Sequence, residues 1–150
     1  MDVVYRKAAP EDVSNCIILR GKTRENAFSA EQLEAIGVTL ESWQSAINDD
    51  LLIGYVCSSE EQMVGYCFGN QSTGEIVVLA LLPEYEGKGI GKTLLNLVIE
   101  SLKELGFHKL FLRCSSDPKA RSYGFYRHLG WRSTGTFDDS GDELLEYSPS

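Results

Sequence analysis

Gly87, Gly89 and Gly91 stand at alternate positions, with Lys88 and Lys92 inside and just after them. They fall between a strand-like run that ends at Leu82 and Pro83 and an apolar helical pattern that begins near Gly89. A strand, a glycine turn and a helix N-terminus together form an anion site. The first backbone N–H groups of the helix lack intrahelical partners, and the helix dipole favours negative charge there. Glycine lets a phosphate reach the backbone without meeting a Cβ, and the two lysines add charge. The plainer alternative is that the glycines only let the helix pack closely on the strand.

Spacing separates the phosphate-binding patterns that use such turns. A nucleotide-binding P-loop, G-x-x-x-x-G-K-[ST], is completed by Gly91, Lys92 and Thr93, but Glu86 stands where its first glycine belongs. The dinucleotide fingerprint G-x-G-x-x-G requires a third glycine where Lys92 stands, and it requires parallel βαβ surroundings. Neither pattern fits. Other reactive groups are scattered. Cys16, Cys57, Cys67 and Cys114 lie far apart with no C-x-x-C pair and no histidine to complete a zinc set, so buried, reduced thiols and no metal are expected. Cys114 reads as a small buried apolar residue rather than a nucleophile. His108 and His128 flank helix ends, where the C-terminal dipole accommodates them.

The elements that must hold this turn follow from apolar periodicity. A strand is expected over 3–8, then an amphipathic helix opening at Pro10 with Val13, Cys16, Ile17 and Leu19 on one face. Ser29 and Gln32 form a capping box ahead of a short helix, and the pattern repeats from Thr39. Strands over 51–57, 63–70 and 75–82 are joined by short connections, which implies an antiparallel meander. Helical spacing of Ile90, Leu94, Leu95, Val98, Ile99 and Leu102 predicts a helix over 89–105, stopped by Gly106. A strand over 109–113, a helix over 118–129 opening on Pro118, and strands over 131–137 and 143–147 close the chain, with the turn "DDSGD" between the last two.

Leu79, Leu81 and Pro83, then Gly89 and Gly91, then Leu94 and Leu95 resemble the core motif of the GCN5-related N-acetyltransferase (GNAT) family: an apolar strand, a [Gln/Arg]-x-x-Gly-x-[Gly/Ala] turn and a long helix. Glu86 departs from that motif's Gln/Arg position. "RSYGFYRHLGW" is similar to the family's later motif through Phe125, Tyr126, Gly130 and Trp131, and "YRKAAPEDV" is similar to its opening, so the likeness runs along nearly the whole chain. The resemblance implies one N-acetyltransferase domain over 1–150 with an α/β fold. It implies a mixed, mostly antiparallel sheet of about six to seven strands, flanked by about four helices, whose splayed strands form an acetyl-CoA cleft.

By the same resemblance, acetyl-CoA is the cosubstrate. Its pantetheine would run along Leu79, Ala80 and Leu81 as an added strand, and its pyrophosphate would rest on Gly87, Lys88, Gly89, Ile90, Gly91 and Lys92. The resemblance makes Tyr126 the general acid that protonates the departing thiolate and Glu75 the base acting through a water. Arg20, Arg24 and Glu25 are candidates to face the acceptor, although a solvated helix end explains them equally.

Composition bounds the partners. The chain has 150 residues, 43% of them apolar, and a net charge of −8. That charge disfavours a nucleic-acid partner and suits a cationic acceptor, which the resemblance makes a small-molecule amine. No basic leader precedes an apolar stretch, and no run of about 18 apolar residues occurs, so neither a membrane nor an export route is expected and the cytoplasm is. A homodimer is compatible with all of this. Two alternatives stand beside the small-amine enzyme: a protein or peptide N-acetyltransferase, and a non-catalytic acyl-CoA-binding module.

Overall fold

A computed structural model describes residues 2–23 and 29–149. Strand β1 (Val4–Lys7) leads through a 3-10 turn at Pro10–Asp12 into α1 (Val13–Arg20). Asp12 clamps this entry by accepting from Arg6 (2.6 and 2.8 Å) and from the Ala9 N–H (2.8 Å). The short helices α2 (Ala30–Ala35) and α3 (Leu40–Asn48) begin at the two expected caps. The Ser29 and Thr39 hydroxyls accept from Gln32 N and Ser42 N respectively.

Strands β2 (Leu52–Ser59), β3 (Gln62–Asn70) and β4 (Ile76–Leu81) form the expected antiparallel meander, with β1 on the outer edge of β2. The β2–β3 turn consists of Glu60 and Glu61, both at positive φ (51° and 68°). A two-residue hairpin normally draws on glycine or asparagine for those angles. After β4 come α4 (Ile90–Glu104), β5 (Leu110–Cys114), α5 (Arg121–His128), β6 (Arg132–Phe137) and β7 (Glu143–Tyr147).

These strands make two antiparallel sheets, ordered β1-β2-β3-β4 and β5-β7-β6. Among the described residues a single parallel bridge, Glu75 to Phe111, joins them, with Phe111 N–H donating to Gly74 O at 3.3 Å. Beyond that bridge β4 and β5 diverge, so the seven strands enclose the expected splay. Five α-helices lie among the described residues rather than about four, because the two capped segments before β2 form separate helices.

Helix α4 buries Ile90, Leu94, Leu95, Val98, Ile99 and Leu102 against one face of the first sheet. It comes close because β3 presents Gly65 there. A Cβ at that position would lie 2.7 Å from Leu81 and 3.1 Å from Leu94. The opposite face carries α1 and α3, and Trp43 packs edge-on to Phe68 at 5.0 Å and to Tyr66 at 6.3 Å. All four cysteines are buried and unpaired. No helix among the described residues is long and apolar enough to cross a membrane.

One boundary departs from the sequence pattern. The helix expected from Pro118 begins at Arg121. Asp117 folds the preceding residues into a turn: its side chain accepts from Lys119 N (2.9 Å), its carbonyl from Ala120 N (2.9 Å). An Asx turn of this kind competes with helical hydrogen bonding and delays the helix.

Candidate functional site

The glycine turn is a backbone device. After β4 the chain makes a 3-10 turn at Pro83–Tyr85, and Gly87 (φ +76°) and Gly89 (φ +83°) then take left-handed conformations with open space where a side chain would stand. The first backbone bond of α4 is donated by Thr93 to Gly89 O (3.1 Å), and the Thr93 hydroxyl donates to the same oxygen (3.0 Å). Among the described backbone bonds, none is donated by residues 87–92. Six successive N–H groups thus stand at the positive end of a 15-residue helix. Lys88 and Lys92 are exposed beside them. An anion fits here without displacing any existing backbone bond.

Glu86, the acid next to this nest, is turned aside. Its carboxylate lies 3.8 Å from Arg121 at the start of α5 and is only 14% exposed. Its charge is therefore compensated away from the N–H row. A counter-ion 35 residues downstream leaves no local pattern in the sequence.

The edge of β4 supplies the second component. Leu82 N–H donates to Val64 O at 2.9 Å, and the register then pairs Leu81 with Gly65, Ala80 with Tyr66 and Leu79 with Cys67. In an antiparallel pair, backbone polar groups alternate between the two sides of a strand. The N–H and C=O of Ala80 therefore point to β3, and those of Leu79 and Leu81 point into the splay. Of the three residues expected along this edge, two face it with their backbone; Ala80 supports it from behind. The register slips between Phe68 and Gly69, which leaves Val77 as a bulge just past the joint of the sheets. Bulges bend a strand and raise its twist, which suits a strand that must leave its neighbour.

Across the splay stands Tyr126. It is 8% exposed, packed edge-on to Phe125 (5.0 Å between ring centroids) and to Trp131 (5.9 Å). Burial pushes its phenol well above the ordinary tyrosine range, with Cys67 and Cys114 near enough to add to the rise. Those two neighbours put the ring level with Leu79 on one side and the end of β5 on the other. Phe125 anchors the helix on the glycine turn, since a Cβ at Gly91 would lie 3.6 Å from it. Arg127 anchors it on the second sheet by donating to the buried Glu143 while its guanidinium lies 3.6 Å from the centre of the Tyr123 ring. The Cys114 thiol is pushed up to about 11 by burial, which keeps it neutral.

Glu75 sits at the closed end of the splay, beside the bridge to Phe111, and accepts from Arg113 at 2.7 Å. Burial raises its pKa and the Arg113 charge partly offsets that rise. No hydrogen bond or ion pair joins it to Tyr126 among the described residues. Arg20 is half-buried at the end of α1, and Arg24 and Glu25 lie outside the described residues. His128 closes α5, as expected of a residue at a helix end. No group of three or more metal-ligating side chains occurs among the described residues. The ion pairs of Glu75, Glu86 and Glu143 leave no local pattern in the sequence because each spans from 16 to 38 residues.

A family model described as the acetyltransferase (GNAT) family matches residues 19–131. The chain is 28% identical over 130 residues to an amino-acid acetyltransferase of Aeromonas salmonicida, covering 84% of this chain and 26% of that protein. It is 29% identical over 98 residues to a putative ribosomal protein bS18-alanine N-acetyltransferase of Bacillus subtilis, covering 60% of this chain and 63% of that one. The chain thus spans less than two thirds of the length of these relatives. The crystal structure of the PaiA N-acetyltransferase from Thermoplasma acidophilum in complex with coenzyme A superposes with a TM-score of 0.81 at 21% identity, over 99% of this chain and 100% of the other.

Proposed function

Because the chain belongs to the acetyltransferase (GNAT) family, we propose that it moves an acetyl group from acetyl-CoA to the primary amine of a small-molecule acceptor, residues 1–150 acting as one cytoplasmic domain. The observation that carries this reading is the row of six backbone N–H groups over residues 87–92, placed directly after the open edge of β4. A pyrophosphate suits the N–H row with Lys88 and Lys92, and an amide-bearing pantetheine suits the exposed Leu79 and Leu81 backbone.

When bound, acetyl-CoA supplies a thioester whose carbonyl carbon the amine attacks. The chain's own residues handle the protons. Tyr126 keeps its proton through the neutral range because burial opposes ionisation, so it can donate to the departing sulfur. Glu75, whose carboxyl is made more basic by burial, takes the amine's proton through a water. Arg113 holds that carboxylate in place and limits the rise.

The acceptor class separates this reading from acetylation of a protein α-amine, which the likeness to the Bacillus subtilis protein favours. Thiol release measured over amines, amino acids, aminoglycosides and peptides decides between them. Turnover of small amines is expected. Turnover confined to peptides would replace the acceptor, and silence across the panel with clear CoA binding would leave a binding module.

A further inference from the structure

Arg20 closes α1 as a half-buried cation, although a basic side chain at a helix end is ordinarily solvated. The helix sets its direction. Cys16, one turn earlier, is fully buried and holds its Sγ 3.9 Å from the Met63 Sδ on β3. Residues four apart share a helix face, so Arg20 leaves α1 on this same sheet-facing side, about 6 Å further along the axis. Helix α1 packs on both β3 and β4, and that advance brings Arg20 to Tyr66.

Tyr66 stands opposite Ala80 in the register, between the two residues whose backbone groups face the splay. Burial raises its phenol, and the charge of Arg20 and a side-chain hydrogen bond from it oppose that rise. The same charge is felt at Tyr126, where it also works against the rise that burial causes. One cation thus bears on two phenols, one behind β4 and one across the splay from it.

The side of the sheet matters. Helix α4, which opens with the N–H row, covers one face of the first sheet, and α1 covers the opposite face. A cosubstrate seated on the N–H row leaves the α1 side for the approach of the amine. Arg20 stands on that side.

We infer that Arg20 is a specificity-determining residue that holds a carboxylate of the acceptor, so that the acceptor is an amino acid or a similar amine with an anionic end. This rests on the acetyl-CoA reading of the cleft. A guanidinium carries N–H donors in a planar fork that matches a carboxylate through two parallel bonds. Tyr66 fixes the plane of that fork, which spares part of the entropy of ordering it on the acceptor. In a chain of net charge −8, an anionic group is admitted only where a local cation receives it.

The probes are the common L-amino acids and their α-carboxamides, titrated into isotope-labelled protein with and without saturating CoA and followed by amide chemical shift. At least one acid is expected to be half-saturating at or below about 10 mM and to bind at least about tenfold more tightly than its carboxamide. Arg20→Gln is expected to bring acid and carboxamide to equal affinity. Arg20→Lys is expected to keep part of the preference, because the charge survives without the fork. CoA affinity, read by calorimetry, stays unchanged in both, which a general loss of folding would not permit. The comparison of acid with carboxamide in the unsubstituted protein preserves the test if Arg20→Gln folds poorly. No saturation by any acid, equal affinity of acid and carboxamide in the unsubstituted protein, or an undiminished preference in Arg20→Gln would overturn the assignment. Thiol release is measured on the same pairs. Release at equal rates from acid and carboxamide would keep the acetyl transfer and overturn the carboxylate. The expected binding preference without release would count against the transfer and leave the role of Arg20 standing.

Discussion

The two sides of the splay are built from different materials. On the β4 side the proposed binding groups are backbone: the N–H row over residues 87–92 and the edge groups of Leu79 and Leu81. On the β5 side they are side chains held by other side chains. Tyr126 is wedged between Phe125 and Trp131 and Arg127 is fastened to Glu143, while Arg113 of β5 reaches across to hold Glu75 at the start of β4. A backbone site needs particular φ angles and a helix start, and therefore glycines at fixed spacing. A side-chain site needs partners that can come from anywhere in the chain.

That contrast predicts which substitutions alter binding and which alter turnover. The largest effect is expected at Tyr126. Tyr126→Phe should lower kcat by about 10² to 10⁴ fold, the usual weight of a general acid, while the CoA dissociation constant measured by calorimetry stays unchanged. Glu75→Gln should lower kcat by about 10² fold. It should also remove the acid limb of the kcat/KM profile. In the parent protein that limb falls as pH drops through a carboxyl pKa raised by burial, because only the ionised form accepts a proton. A limb that persists in Glu75→Gln would assign the base elsewhere.

The reverse pattern is expected on the backbone side. Gly89→Val forces a β-branched residue to φ +83° and should weaken CoA binding by about tenfold to a hundredfold, with little change in kcat at saturation. A kcat loss without a binding loss would move the turn from a binding role to a catalytic one.

A smaller effect, on stability, is expected at the Arg127–Glu143 fastening. Glu143 is held below the ordinary carboxylate range by hydrogen bonding to Ser133 and Arg127. A depressed carboxylate contributes stability above its unfolded pKa, and that contribution is lost as pH falls through the folded value. Glu143→Gln should therefore cost about 2 kcal/mol at neutral pH and less under acid conditions, as read by denaturant unfolding at both. Equal losses at both pH values would mean that shape, not charge, holds α5. The smallest effect is expected at Arg121. Arg121→Ala leaves the Glu86 charge less compensated beside the N–H row, and CoA affinity should drop only about threefold.

The backbone half was legible from residue types. Alternate glycines, an apolar strand ending at Pro83 and a helical stripe from Ile90 read as a strand, a glycine turn and a helix start, and the structure has these three in that order. The two capping boxes were legible for the same reason, since their partners lie three residues apart. Glu86 reads as an unfavourable acid in sequence and as a paired one in space, because Arg121 reaches it only once α5 has packed beside α4. The start of α5 shifted because Asp117 competes for the local N–H groups, and the bulge at Val77 depends on how β4 registers with β3. Tyr126 came from a family likeness, whereas its buried setting came from packing.

The most direct measurement is calorimetric titration of CoA into the unsubstituted protein, Gly89→Val and Tyr126→Phe. Saturable one-to-one binding is predicted, weakened at least tenfold by Gly89→Val and unchanged by Tyr126→Phe. Absence of binding to the unsubstituted protein, or equal affinity in Gly89→Val, would contradict the account of the glycine turn as the seat of the cosubstrate's pyrophosphate.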